Sequence, residues 1–225
     1  MRGPAERAVV AAVCGMPFEA AIAAGPGVAA ICGPGPARVA AGLASLLAAE
    51  QPAIISFGCV GGLDPDLAPG SCVVATGVLT RTGLIAADPA WTRALMAQLP
   101  GARTGLLAGL DLPLAASESK ARLRRDSGAC AVDMESHAAA REAQRHGLPF
   151  AACRVVLDPA WRSIPSCALA ALREDGSSAL LPLLGALARS PRELGPLCAL
   201  ARDAWTARRA LRQVRARLGP HFSLP

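Results

Sequence analysis

Apolar residues in this chain fall into short runs separated by polar or glycine-rich breaks. Residues 8–13 (AVVAAV), 28–32 (VAAIC), 53–57 (AIISF), 72–79, 104–108, 129–134 (ACAVDM) and 150–157 (FAACRVVL) read as strands. The unbroken apolar character of 53–57 is that of a strand covered on both faces. Between these runs lie helical patterns: a short helix from the turn at Gly15 to about Ala24, then 37–50, 89–98 and 135–146. In the second of these, Leu43, Leu46 and Leu47 form an apolar stripe at i, i+3, i+4. The alternation predicts an α/β fold of three αβα layers, with a central mixed, mostly parallel β-sheet and helices on both faces. Gly33-Pro34-Gly35-Pro36 breaks the chain before the second helix, a glycine-rich loop is expected over 58–70, and the Pro-rich stretch 159–165 reads as a loop and not as a domain linker. A basic helical region covers about 178–219, with breaks expected at Pro182, Pro191 and Pro196. No internal repeat is visible, and 225 residues suit a single domain over 1–225.

Composition narrows the class. Hydrophobic residues make up 52% of the chain and aromatics only 3%, so the core is built largely of Ala, Leu and Val, which suits close helix–sheet contacts. No apolar run reaches the ~18–20 residues of a membrane span. The N-terminus holds Glu6 and its apolar stretch is broken by Gly15 and Pro17, so a secretory signal is not expected and the chain reads as cytoplasmic. Of the eight cysteines, Cys14, Cys32, Cys72, Cys130 and Cys153 sit in apolar runs. No pair has metal-ligand or redox spacing, so reduced, structural thiols and no metal are expected. The net charge is +6, with Lys120 the only lysine. Much of the arginine clusters in the tail, at Arg202, Arg208, Arg209, Arg212, Arg215 and Arg217, with no groove-binding motif, so no nucleic-acid partner is expected.

Four segments can carry chemistry. Ile55-Ser56-Phe57-Gly58-Cys59-Val60-Gly61-Gly62-Leu63 takes a buried strand into glycines, where a ligand can approach the backbone or where a tight turn needs positive φ. The free N–H groups of Gly33-Pro34-Gly35-Pro36 can hold an anion before a helix, or the prolines can simply stiffen a turn. In Val132-Asp133-Met134-Glu135-Ser136-His137 a carboxylate can hold a sugar diol through two hydrogen bonds, or Asp133 or Glu135 can serve the helix N-terminus. His137 and His146 read as ordinary helix residues more readily than as bases. Asp158, closing the run Arg154-Val155-Val156-Leu157, is a desolvated acid suited to proton donation, or a turn cap before Pro159.

Together the order and spacing of these segments, over about residues 8–160, resemble the methylthioadenosine/S-adenosylhomocysteine nucleosidases and their purine phosphorylase relatives. A closer resemblance is to the hopanoid-associated phosphorylases. It rests on Asp133-Met134-Glu135-Ser136-His137 and on the tail Ala201-Arg202-Asp203-Ala204-Trp205-Thr206-Ala207-Arg208-Arg209-Ala210-Leu211-Arg212. The resemblance implies a nucleoside phosphorylase/nucleosidase fold and release of adenine from adenosylhopane, a nucleoside with a triterpenoid tail, with inorganic phosphate as co-substrate and no cofactor. The alternatives are a hydrolytic nucleosidase and a non-catalytic nucleoside-binding protein.

Carried over by position, Asp158 protonates or hydrogen-bonds the purine, and Glu19 matches the glutamate that activates water in the nucleosidases. Glu135 binds the ribose hydroxyls, Met134 packs on the sugar, and Asp133, Cys59, Val60, Gly61 and Arg154 line the substrate site. Gly33, Gly35 and Gly58 are the phosphate candidates. Glu19 favours water as nucleophile, whereas Arg154 and the glycines favour phosphate. Three departures stand out: Leu157 replaces the Ser that precedes the acid in the nucleosidases, Pro159 follows it, and Leu110–Ser119 offers no aromatic for base stacking. Leu110, Leu112, Leu114, Trp161 and Ile164 are candidate walls of a lipid pocket. In the tail, Leu197, Leu200, Ala204, Leu211, Val214 and Leu218 form a helical stripe. A basic amphipathic helix there can lie on the inner membrane face or pack on its own domain. A homo-oligomer is expected.

Overall fold

The computed structural model describes residues 9–33, 35–48, 51–171 and 180–225. The expectations on Glu6, Ala8, Pro34, the last two residues of helix 37–50 and residues 178–179 lie outside these. Eight strands and eight helices are described in the order β1 (Val10–Cys14), α1 (Pro17–Ala23), β2 (Val28–Cys32), α2 (Pro36–Leu47), β3 (Ala53–Gly62), β4 (Cys72–Thr80), β5 (Gly83–Ala86), α3 (Pro89–Gln98), β6 (Arg103–Gly109), α4 (Ser117–Ser127), β7 (Ala131–Asp133), α5 (Ser136–His146), β8 (Phe150–Asp158), α6 (Ser166–Ala171), α7 (Leu180–Arg189) and α8 (Leu194–Arg217).

The sheet is mixed, and part of it closes on itself. β1 lies parallel between β2 and β3, and β3 runs parallel to β8 from Ile54 opposite Phe150 to Gly61 opposite Asp158. β8 pairs antiparallel with β4, β4 parallel with β6, and β6 parallel with β7. β7 returns antiparallel to β3 through Gly61–Val132 and Gly62–Ala131. The ring β3–β8–β4–β6–β7 brings the ends of three strands to one place, because Gly61 faces Val132 of β7 on one side and Asp158 of β8 on the other.

Side chains alternate between the two faces, as a strand period of two requires. Ala11, Val13, Ile54, Ala152 and Val156 meet α2 and α5 on one face. Val10, Ala12, Ile55, Phe57, Cys153 and Val155 meet α1, α3 and α8 on the other. This is the three-layer arrangement that the apolar pattern predicts. α5 presents Ala138, Ala139, Ala140 and Ala143, whose small side chains let it lie close on the sheet. Burial of each Leu- or Phe-sized side chain here is worth about 1.5–3 kcal/mol.

The tail belongs to this core. Ala207, Leu211 and Val214 of α8, with its C-cap Leu218, form an inward stripe, Phe222 packs edge-on to Phe57 at 5.0 Å between ring centroids, and buried Trp91 donates Nε1–H to the Phe222 carbonyl at 2.8 Å. The lower part of the stripe expected for membrane contact is thus buried against the protein's own sheet. No helix among the described residues is long and apolar enough to cross a membrane.

The structure corrects several boundaries. The glycines of 58–62 continue β3 instead of forming a loop, because Gly58, Cys59 and Val60 pair with Arg154, Val155 and Val156. Pro182 and Pro196 do not break their helices. Each is the third residue of its helix, where the N–H has no intrahelical partner to lose; only Pro191 interrupts, in a 3₁₀ turn at Pro191–Glu193. β5, α4 and α6 were not expected. β5 is a four-residue edge strand paired with β4, and α4 (SESKARLRRDS) carries almost no apolar stripe.

Candidate active site

A cavity of about 580 Å³ opens where β3, β7 and β8 converge. Its polar wall holds Glu19, Asp133, Glu135 and Asp158, with Cys59, Val60, Gly61 and Met134 between them. The rest is apolar: Met16 and Phe18 from the start of α1, Leu112 and Leu114, Leu157, Ile164, Ala168 and Leu169 of α6, and Leu200 and Ala204 of α8. Of the candidate lipid walls, Leu112, Leu114 and Ile164 line the cavity. Leu110 and Trp161 do not, and Trp161 is 55% exposed. Phe18 puts an aromatic on the wall from outside the segment where base stacking was sought, with the Arg208 guanidinium 5.4 Å from its ring centroid.

Glu19 is the third residue of α1 and is buried. Its Oε2 accepts the backbone N–H groups of Gly15 and Met16, both at 2.9 Å, and its Oε1 accepts Cys59 N–H at 2.7 Å. Burial pushes its carboxyl up, against Arg154 and these backbone donors. Gly58 makes the approach possible. A Cβ there would sit 2.6 Å from Glu19 Oε2 and 2.8 Å from Arg154 Nη1, and φ is +153°, so the position excludes a side chain on two counts. Cys59 has its thiol pushed well up by burial and by Glu19, and it stays neutral.

Arg154 is fully enclosed. It donates to Ser56 Oγ from Nη2 at 2.6 Å and from Nε at 3.1 Å, and it reaches Asp133 Oδ2 at 2.9 Å and Glu135 Oε2 at 3.4 Å. Burial opposes its charge, but Asp133, Glu135 and Glu19 hold it protonated. It does not line the cavity; it anchors the carboxylates that do.

Of the two acids flanking Met134, only Asp133 bonds to the start of the helix. Asp133 serves the helix: its Oδ1 accepts Ser136 N–H at 3.1 Å, its Oδ2 accepts the Ser136 hydroxyl, and that hydroxyl lies 2.7 Å from Ser56 Oγ. Glu135 makes no capping bond and faces the cavity opposite Gly15, where a Cβ would lie 2.9 Å from its carboxyl carbon. Its carboxyl is pushed up to about 8, first by burial, then by Asp133 and Glu19, with Arg154 pulling the other way.

Asp158 closes β8 and is nearly buried. Its Oδ2 lies 2.5 Å from Nζ of Lys120, a fully buried lysine of α4 that the sequence reading counted only as charge. Burial pushes the Asp158 carboxyl up and Lys120 opposes it.

Gly33 and Gly35 lie outside the cavity wall. Gly35 precedes α2 as its N-cap, with its backbone N–H towards Glu135, and a Cβ on Gly33 would meet Arg38 at 2.8 Å. His137 pairs with Asp111 at 3.0 Å, and neither residue lines the cavity.

The model of the phosphorylase superfamily matches residues 6–164, more than half of the chain. The chain belongs to the phosphorylase superfamily. Solved structures similar to this superfamily member include a Helicobacter pylori MTAN mutant with 5′-methylthioadenosine in its active site, at 16% identity and TM-score 0.63, covering 91% of this chain and 96% of that one. Helicobacter pylori futalosine hydrolase follows at 16% identity and TM-score 0.62, covering 91% and 96%. Streptococcus pyogenes S-adenosylhomocysteine nucleosidase, in complex with 5-methylthiotubericidin, matches at 18% identity and TM-score 0.62, covering 94% and 99%. No curated protein matches the chain.

Proposed function

We propose that the protein cleaves the N-glycosidic bond of an adenosine-type nucleoside bearing a long apolar extension, adenosylhopane being the substrate that the resemblance implies. The observation that carries this reading is the convergence of Glu135 and Asp158 on one nucleoside-sized cavity, from the ends of different strands. The apolar extension is supported by the cavity's other wall, where Leu112, Leu114, Ile164, Leu169 and Leu200 offer no hydrogen bond to a polar substituent.

Breaking the bond sends its electron pair to the purine and leaves positive charge on the sugar. Groups that strengthen with that charge lower the barrier most. Asp158 gives a proton or strong hydrogen bond to the departing base, and Glu135 holds the ribose hydroxyls. For the nucleophile, the charge of the site favours water. Glu19, Asp133 and Glu135 are all carboxyls, and the guanidinium among them, Arg154, is held by Ser56, Asp133 and Glu135. A phosphate dianion would find no cationic side chain on the cavity wall, since Arg154 lies behind it, whereas Glu19, with three of about four acceptor sites filled by backbone N–H groups, keeps one for a water proton. In the balanced step, water oxygen bonds to the sugar carbon, one water proton goes to Glu19, and the purine takes a proton from Asp158. Phosphorolysis, which the resemblance implies, needs phosphate bound on the same side.

The test is adenine release from adenosylhopane and from adenosine, with and without phosphate. Release from the tailed nucleoside without phosphate is expected. No adenine from either substrate under any condition refutes the functional reading, and strict phosphate dependence refutes water as nucleophile.

A further inference from the structure

Lys120 is the only lysine in a chain with 23 basic residues, and it is fully buried in α4, the most polar of the helices. Its ammonium faces four acceptors: Asp158 Oδ2 at 2.5 Å, the Asp158 carbonyl at 3.4 Å, the Pro159 carbonyl at 3.0 Å and the Arg162 carbonyl at 2.9 Å. A buried ammonium is costly to desolvate, and a well-packed apolar pair is often as stable as a buried ion pair. Stability alone therefore gives weak reason for this charge. Its placement does more: the one carboxyl it grips is the cavity carboxyl at the end of β8.

We propose that Lys120 is a positioning residue for the purine acid: by holding Oδ2 it aims Oδ1 of Asp158 into the cavity and stabilises the carboxylate left once the proton has gone to the base. This rests on the reading of Asp158 given above. The charged and titratable groups facing Asp158 are Lys120 from α4, Asp203 from α8, itself paired with Arg162 of the loop after β8, and Cys59 of β3. Burial, and after it Asp203, raise the carboxyl, and Lys120 is the charged group that opposes them. As the glycosidic bond breaks, the purine nitrogen takes the Asp158 proton, and Lys120 keeps all of its own protons and neutralises the resulting charge. Lys120 also takes the place, as orienter of the acid, of the serine hydroxyl that Leu157 does not supply.

A single lysine permits a direct test, since selective ¹⁵N or ¹³C labelling gives one side-chain resonance. In the ligand-free wild type that resonance should shift with the midpoint of the Asp158 carboxyl signal, which Asp158→Asn assigns. A lysine signal indifferent to that titration overturns the proposal, and this measurement needs no variant of Lys120 to fold. Lys120→Gln, which keeps an N–H donor but not the charge, should raise the Asp158 midpoint by at least about one pH unit. It should also move the alkaline limb of the adenine-release profile upward and lower kcat at least tenfold with little change in KM, and Lys120→Arg should restore both. A wild type that releases no adenine refutes the functional reading. An active wild type whose Lys120→Gln variant keeps the same carboxyl titration and pH profile refutes the role of Lys120 alone.

Discussion

Replacing Glu135 with Gln gives the sharpest quantitative expectation. Its carboxyl stands at about 8 in the fold against 4.5 for an ordinary glutamate, because burial withholds water from the charge and Asp133 and Glu19 repel it. Between those two values the folded chain keeps a proton that the unfolded chain has released. The stability it contributes is therefore full below about pH 4.5 and declines as pH rises towards about 8. For one group the slope approaches ~1.4 kcal/mol per pH unit, or roughly 2–3 kcal/mol between pH 5.5 and 7.5. Glu19 and Asp158 are displaced in the same direction, so the wild type carries their slopes as well. Glu135→Gln removes one of these and leaves the others. Urea unfolding at pH 5.5, 6.5 and 7.5 should show wild-type stability falling more steeply than that of the variant. The same proton governs ligand binding. A diol that donates both hydrogen bonds needs the carboxylate, so nucleoside affinity should rise with pH by up to about tenfold per unit towards pH 8, and the variant should lose that dependence. Parallel stability curves for the two proteins would refute the reasoning.

Other substitutions probe separate parts of the site. Asp158→Asn should lower adenine release about 10²–10⁴-fold. It should also cost about 3–5 kcal/mol in urea unfolding, because the buried Lys120 ammonium loses its counter-charge. Gly58→Ala, with its methyl 2.6 Å from Glu19 Oε2, should destabilise by at least about 2 kcal/mol on the same measurement. Ala204→Trp, filling the apolar wall from α8, should lower kcat/KM for the tailed nucleoside at least about tenfold while sparing adenosine in the same assay.

The layered fold was legible because strand and helix periods differ and the core strands are unbroken apolar runs. Asp133, Glu135 and Asp158 stood out as candidates because each is an acid set where an apolar run ends, whereas Glu19 entered only through the family resemblance. Arg154, expected on the substrate wall, lies behind it and holds Asp133 and Glu135. One-dimensional order cannot show that Asp133 and Glu135 return to it from another strand. The glycines of 58–62 misled, since a residue kept small for a neighbour's approach reads like one kept small for a turn. Lys120 was missed for a physical reason. α4 has no apolar stripe to announce an inward face, and a charged side chain in a polar helix reads as solvated. Its being the only lysine among so many arginines was the one available signal.

The joint grip of Glu135 and Asp158 on one nucleoside is tested most directly by where that nucleoside sits. A crystal structure with an uncleavable adenosine analogue should put the ribose hydroxyls within hydrogen-bond reach of Glu135 and a purine ring nitrogen within reach of Asp158. The substituent on the sugar should point along Leu112, Leu169 and Leu200. A ligand bound with its base or its ribose out of reach of these two carboxyls would contradict it.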